Sequence, residues 1–88
     1  MTTVAEYCKI DGEHVAQSLN EVRAELGTDD GEAVLDFSAV LRIDTSALRA
    51  IEDLAELNSA RISLRGVGVG VYKVLKLARL TSRFSFVN

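Results

Sequence analysis

Residues 34–57 read Val34-Leu-Asp-Phe-Ser-Ala-Val-Leu-Arg-Ile-Asp-Thr-Ser-Ala-Leu-Arg-Ala-Ile-Glu-Asp-Leu-Ala-Glu-Leu57, and a change of pattern inside them decides the fold. Val34 to Phe37 is a short apolar run of the length of a buried strand, whereas from Leu48 onward the apolar residues recur at helical spacing. The spacing predicts a helix with Ala47, Leu48, Ile51, Leu54, Ala55 and Asn58 turned inward and Arg49, Glu52, Asp53 and Glu56 turned outward. On that reading Leu48→Asp or Ile51→Asp places a charge in the core. Asp44 is a good N-cap type, so Thr45 and Ser46 fall in the first turn, where amides lack intrahelical partners and the dipole is positive. A phosphate is well received there, which is what a phosphorylation switch requires. Ordinary capping chemistry is the alternative account of the same triplet.

Outward from this stretch the same two periods alternate. Toward the N-terminus, Val4 to Ile10 reads as a strand with Tyr7 and Lys9 on one face and Cys8 and Ile10 on the other. Cys8 is expected to pack as a small hydrophobe. Asp11-Gly12 forms a turn or cap. Val15, Leu19, Val22 and Leu26 then make one stripe of a helix ended by Gly27, with His14 in its first turn as a surface or cap residue. Asp29-Asp30-Gly31 is a turn. Toward the C-terminus, Arg61 to Arg65 alternates as a half-buried strand, and Gly66-Val-Gly-Val-Gly70 reads as a flexible connection. Val71, Val74, Leu75 and Ala78 mark a third helix with Tyr72, Lys73, Lys76 and Arg79 toward solvent, and Phe84 to Val87 closes the sheet. The predicted order is β-α-β-α-β-α-β, an α/β domain with a mostly parallel or mixed four-stranded sheet.

Composition narrows the function classes. The chain has 88 residues, 48% hydrophobic and 26% charged, enough for one domain with one core and too few for a second catalytic lobe. The start Met-Thr-Thr-Val-Ala-Glu lacks a basic n-region and an apolar h-region, and no apolar run approaches the ~20 residues of a membrane span. A cytoplasmic protein is expected. One cysteine and one histidine give no intramolecular disulfide and no Cys/His metal set. Residues 1–58 hold all 13 acids and four bases, net −9, whereas residues 59–88 hold six bases and no acid. Six scattered cations without an aromatic platform are few for a nucleic-acid groove, so a solvated face or a protein partner is the expectation.

Enzyme patterns are missing. Asp36 and Asp44 flank a strand-to-helix connection, yet a carboxylate pair needs a substrate cleft. Ser46 and His14 lie in no G-x-S-x-G elbow, and the glycine run matches neither the dinucleotide fingerprint nor the phosphate-loop G-K-[ST]. No catalytic residue, cofactor or metal is expected.

The run Val34-Leu-Asp-Phe-Ser followed by Asp44-Thr-Ser-Ala-Leu48 resembles the central signature of STAS domains (sulfate transporter and anti-sigma factor antagonist). The resemblance extends through Leu64-Arg-Gly-Val and Val71-Tyr-Lys-Val-Leu-Lys-Leu-Ala-Arg-Leu-Thr-Ser-Arg-Phe84, similar to the family's final helix with its apolar-aromatic pattern and trailing leucine. The resemblance implies a bacterial, non-enzymatic regulatory module of signal transduction and transcription. Such a module binds an anti-sigma factor that is also a serine kinase, and is phosphorylated by it at the start of the second helix. Ser46 matches the phosphorylated serine and Thr45 the alternative acceptor, with Asp44, Ala47, Arg49 and Asp36 in the switch and partner-binding region. Thr45 also matches the functional threonine of the STAS subunit of bacterial lipid-transport ABC complexes. An accessory subunit that binds a transporter ATPase is therefore the second expectation, and a weak homodimer is compatible with either. Two departures from the family pattern stand out. Ala47 replaces the usual glycine, and Asp11-Gly12-Glu13 is all that stands for the N-terminal hairpin segment.

Overall fold

The computed structural model describes residues 6–26, 32–56 and 61–87. In chain order the elements are β1 (Glu6–Lys9), α1 (Val15–Leu26), β2 (Glu32–Asp36), α2 (Thr45–Ala55), β3 (Arg61–Arg65), α3 (Val69–Leu77) and β4 (Ser85–Val87). The expected β-α-β-α-β-α-β order is the observed one. The expected contributions of Val4, Ala5, Gly27, Asn58, the Leu26 side chain and the 29–31 turn lie outside the described residues.

Strand order in the sheet is β1-β2-β3-β4, and every neighbouring pair is parallel. Each crossover therefore steps one strand further in the same direction. With the right-handed sense that parallel connections take, that places all three helices on one face. Burial agrees. Cys8, Leu35, Leu64 and Phe86 share one register row, Ala33 and Ile62 another, and these rows pack into one core with Leu19 of α1, Ile51 and Leu54 of α2, and Val71 and Leu75 of α3. Helices α1 and α2 also pack on each other. The opposite face carries Tyr7, Lys9, Glu32, Arg61, Arg65 and Ser85, all exposed. Parallel sheets are usually covered on both sides. Here the alternation of polar residues along β2 and β3 fits the open face to water.

The ladder continues past the strands. The Ile10 amide donates to the Asp36 carbonyl (3.0 Å) and the Phe37 amide to the Arg65 carbonyl (2.8 Å), which seats both apolar side chains fully inside the core. Two connections behind these residues need glycine. A Cβ on Gly12 would lie 2.1 Å from the Ala39 carbonyl oxygen, and Gly66 has φ +70° with Ser38 backbone about 3.2 Å from its missing Cβ. These contacts lock the β1–α1 and β3–α3 turns against the β2–α2 loop.

The glycine run differs from its expectation as one flexible connection. Helix α3 begins at Val69 rather than Val71, so Gly70 is helical, and only Gly66 in the run is conformationally required. Burial of Val71 and Leu75 outweighs the helix cost of Gly70, about 1 kcal/mol relative to alanine. Phe84, expected to open the last strand, sits one residue before β4 as a buried plug.

Candidate functional site

All strands being parallel, their carboxyl ends and the N-termini of the three helices share one end of the domain, where ligands and partners of open α/β sheets meet the fold. At the centre of that end is the start of α2. Asp44 is extended (φ −86°, ψ −179°), and its Oδ1 accepts from the Ala47 amide at 2.8 Å while its carbonyl accepts from the Leu48 amide at 2.9 Å. The expected cap is therefore made. Thr45 and Ser46 follow it in the first turn with exposed side chains, and by helix geometry their amides have no intrahelical acceptor. Arg49, also exposed, is four residues after Thr45 and three after Ser46, on the helix surface that both can reach.

Ala47 stands differently. It is 2% exposed and belongs to the core, so its methyl group offers almost no surface. A groove of about 240 Å³ separates the starts of α1 and α2, with Glu13, Val15, Arg42, Asp44 and Ala47 among its lining residues. It adjoins a second depression of about 560 Å³ lined by Asp11, Gly12, Glu13, Ala39, Leu41 and Arg42. Leu41 is 85% exposed and stands at the rim. Sequence reasoning missed Leu41 and Arg42. The run Val40-Leu-Arg-Ile43 has no period that could show Val40 turned in and Leu41 turned out.

Asp36 is the one buried charged residue among the described residues, 8% exposed, at the carboxyl end of β2 on the sheet's open face. Its carboxylate accepts from the Tyr7 hydroxyl and, at 2.9 Å, from the Ser38 amide; Arg65 Nη1 donates to the Tyr7 oxygen at 3.3 Å. Tyr7 reaches Asp36 diagonally across the β1–β2 pair. The Tyr7 bond first, then Ser38, with the Arg65 charge behind, hold the Asp36 carboxyl down at about 2. Asp36 thus fastens β1 to the β2–α2 loop and supports the start of α2 from beneath. An unfolded Asp titrates near 3.8, so this carboxylate stabilises the fold above about pH 4 and ceases to do so as pH falls through about 2. Melting temperatures followed by circular dichroism test this. Asp36→Asn should melt below wild type at neutral pH, and the gap should close as pH is lowered toward 2. A gap independent of pH would assign the acid sensitivity elsewhere.

At the neighbouring turn, Asp11 accepts from the Glu13 amide at 2.9 Å and its Oδ2 lies 3.2 Å from His14 Nδ1. The amide bond first, then the imidazole, hold the Asp11 carboxyl below its ordinary value. His14 is exposed, as expected, and lies one residue before α1, where its carbonyl accepts from the Ser18 amide at 3.0 Å, rather than inside the first turn. Among the described residues no group of three or more His, Cys, Asp or Glu is placed to hold a metal ion, and no helix is long and apolar enough to cross a membrane. The chain matches no family model and no curated protein.

Proposed function

We propose that the chain is a non-enzymatic regulatory module of the STAS type, whose partner is an anti-sigma factor with serine-kinase activity and whose switch is phosphorylation of Ser46. The observation that carries this reading is the pair of exposed hydroxyls in the first turn of α2. They stand behind a formed Asp44 cap, on a helix whose inner face is anchored in the core. A phosphoryl group there adds about two negative charges at the positive end of the helix dipole, with Arg49 one turn along to share them. Nothing structural has to move. Leu41, standing out beside the two grooves, supplies an apolar anchor, and Arg42 a charged one, for a partner seated across the starts of α1 and α2.

Thr45 supports a second reading, that of the STAS subunit of a transporter that docks on its ATPase, because it too is exposed in the first turn of α2. One experiment separates the two. The protein is incubated with ATP and the histidine-kinase-like serine kinase encoded nearest its gene, and the sites are assigned by mass spectrometry. Phosphate on Ser46, abolished in Ser46→Ala, is the expected result. Phosphate on Thr45 alone moves the acceptor by one residue. No phosphate on either, with binding to a neighbouring ABC ATPase, gives the second reading precedence.

A further inference from the structure

Helix α3 is built unlike the other two. Its nine residues, Val-Gly-Val-Tyr-Lys-Val-Leu-Lys-Leu, contain no acid, and Lys73 and Lys76 are its only charged side chains. A helix apolar nearly all round belongs in a buried setting, yet only one side of α3 is buried, through Val71 and Leu75. Its outer side presents Leu77, 86% exposed, Val69, 74% exposed, and the half-exposed Tyr72, with Lys73 and Lys76 between them. Lys73, Lys76 and Arg79 converge around Leu77 to rim a depression of about 440 Å³. The open face of the sheet offers a contrast, since its exposed residues are mostly polar and suited to water.

We propose that this outer face of α3 is a peripheral contact site for an anionic lipid surface. Three features favour a bilayer over an acidic protein. Lysine is depleted from the cores of protein interfaces, whereas at a membrane its stem lies along apolar surface while the ammonium reaches the headgroups. Tyr72 is the amphipathic ring that suits headgroup depth; it packs edge-on against Phe86 with centroids 5.3 Å apart, which fixes its direction. Leu77 and Val69 protrude, and a fluid surface accepts protruding side chains without a matching pocket. Charge placement agrees as well. Because strand order follows chain order, the acid-free segment 61–87 gathers its cations on one side of the domain, and the acids of the neighbouring helix, Glu52 and Asp53 of α2, lie outside that segment. This site is separate from the α2 switch, and its test does not involve the kinase.

Flotation of the full chain with phosphatidylcholine vesicles containing about one-third phosphatidylglycerol, against pure phosphatidylcholine, reads the site directly. The expected result is partition onto the anionic vesicles only, weakening with salt. Lys73→Ala and Lys76→Ala should each lower the partition about fivefold and Leu77→Ser about tenfold, whereas Arg23→Ala on α1 should leave it unchanged. All are exposed positions, and unchanged melting temperatures show that the variants are folded. Equal partition onto neutral vesicles, or anionic binding indifferent to Lys73, Lys76 and Leu77, overturns the proposal. So does the finding, by sedimentation, that these residues hold a dimer while vesicles bind nothing.

Discussion

Ile51→Asp is expected to leave the chain unfolded at room temperature. Ile51 is 1% exposed, in the middle of the helix that packs on α1 and belongs to the core shared with the central strands. The substitution removes the burial of an isoleucine, about 1.5–3 kcal/mol, and puts in its place a carboxyl group with no hydrogen-bond partner. That group must either carry an unpaired charge or take up a proton, and each costs further kilocalories. A chain of this length has about 4–13 kcal/mol of stability in all, so the sum is comparable with the whole. Leu48→Asp, equivalent from the sequence pattern, separates from it here. Leu48 is only half-buried and packs against the core from its rim, so its aspartate can turn toward water and the loss should be a lowered melting temperature. Circular dichroism on both variants gives the comparison. A native-like melt of Ile51→Asp would mean that α2 presents a different face to the sheet.

The contrast between those two leucine-and-isoleucine positions shows which parts of the fold are local. The period-two pattern of Arg61 to Arg65, the helical stripe of Val15, Leu19 and Val22, and the Asp44 cap are each written within a few residues. Each appears in the structure as read. Which residues face a third element is not local. Ala47 holds an inward position by helical spacing as well as a place beside Ser46, and its 2% exposure bears out the inward position. Asp36 flanks the same loop as Asp44 in the sequence, with no pattern to show what it touches. Its actual partners are Tyr7, 29 residues away, and Ser38, whose amide it holds. Gly70 breaks a helical pattern by propensity alone, yet lies inside α3 because Val71 and Leu75 are held in the core. What was legible at the start of α2, the Asp44 cap, the first-turn places of Thr45 and Ser46 and the outward Arg49, is fixed by one helix and its cap. Leu41 and Arg42 belong to an aperiodic loop tied down by Gly12 and Gly66, and no pattern in the chain announces which of its side chains are exposed.

Ser46→Asp should separate function from stability. The side chain is exposed in the first turn of α2, so a carboxylate there displaces no packing, and its interaction with the helix dipole contributes about 0.3–1 kcal/mol in its favour. The nearby Asp44 carboxylate opposes this in part, and Arg49 one turn along offsets that repulsion. The melting temperature should therefore stay within about 5 °C of wild type, since 1 kcal/mol moves a domain of this size by roughly 4–8 °C. Binding is a different matter under the proposed function, where a kinase partner seated over the starts of α1 and α2 would have to desolvate the new charge or face it with a like one. Misplaced charge at an interface costs several kcal/mol, so affinity for the kinase should fall about 30-fold or more. Ser46→Ala should bind as wild type, because it adds neither charge nor bulk. Calorimetric titration of the partner with the three proteins measures this, and Arg49→Ala in the Ser46→Asp background should raise the melting penalty by removing the compensating cation. Equal binding by Ser46→Asp and wild type would put the first turn of α2 outside the interface, whatever its chemistry as a phosphate acceptor.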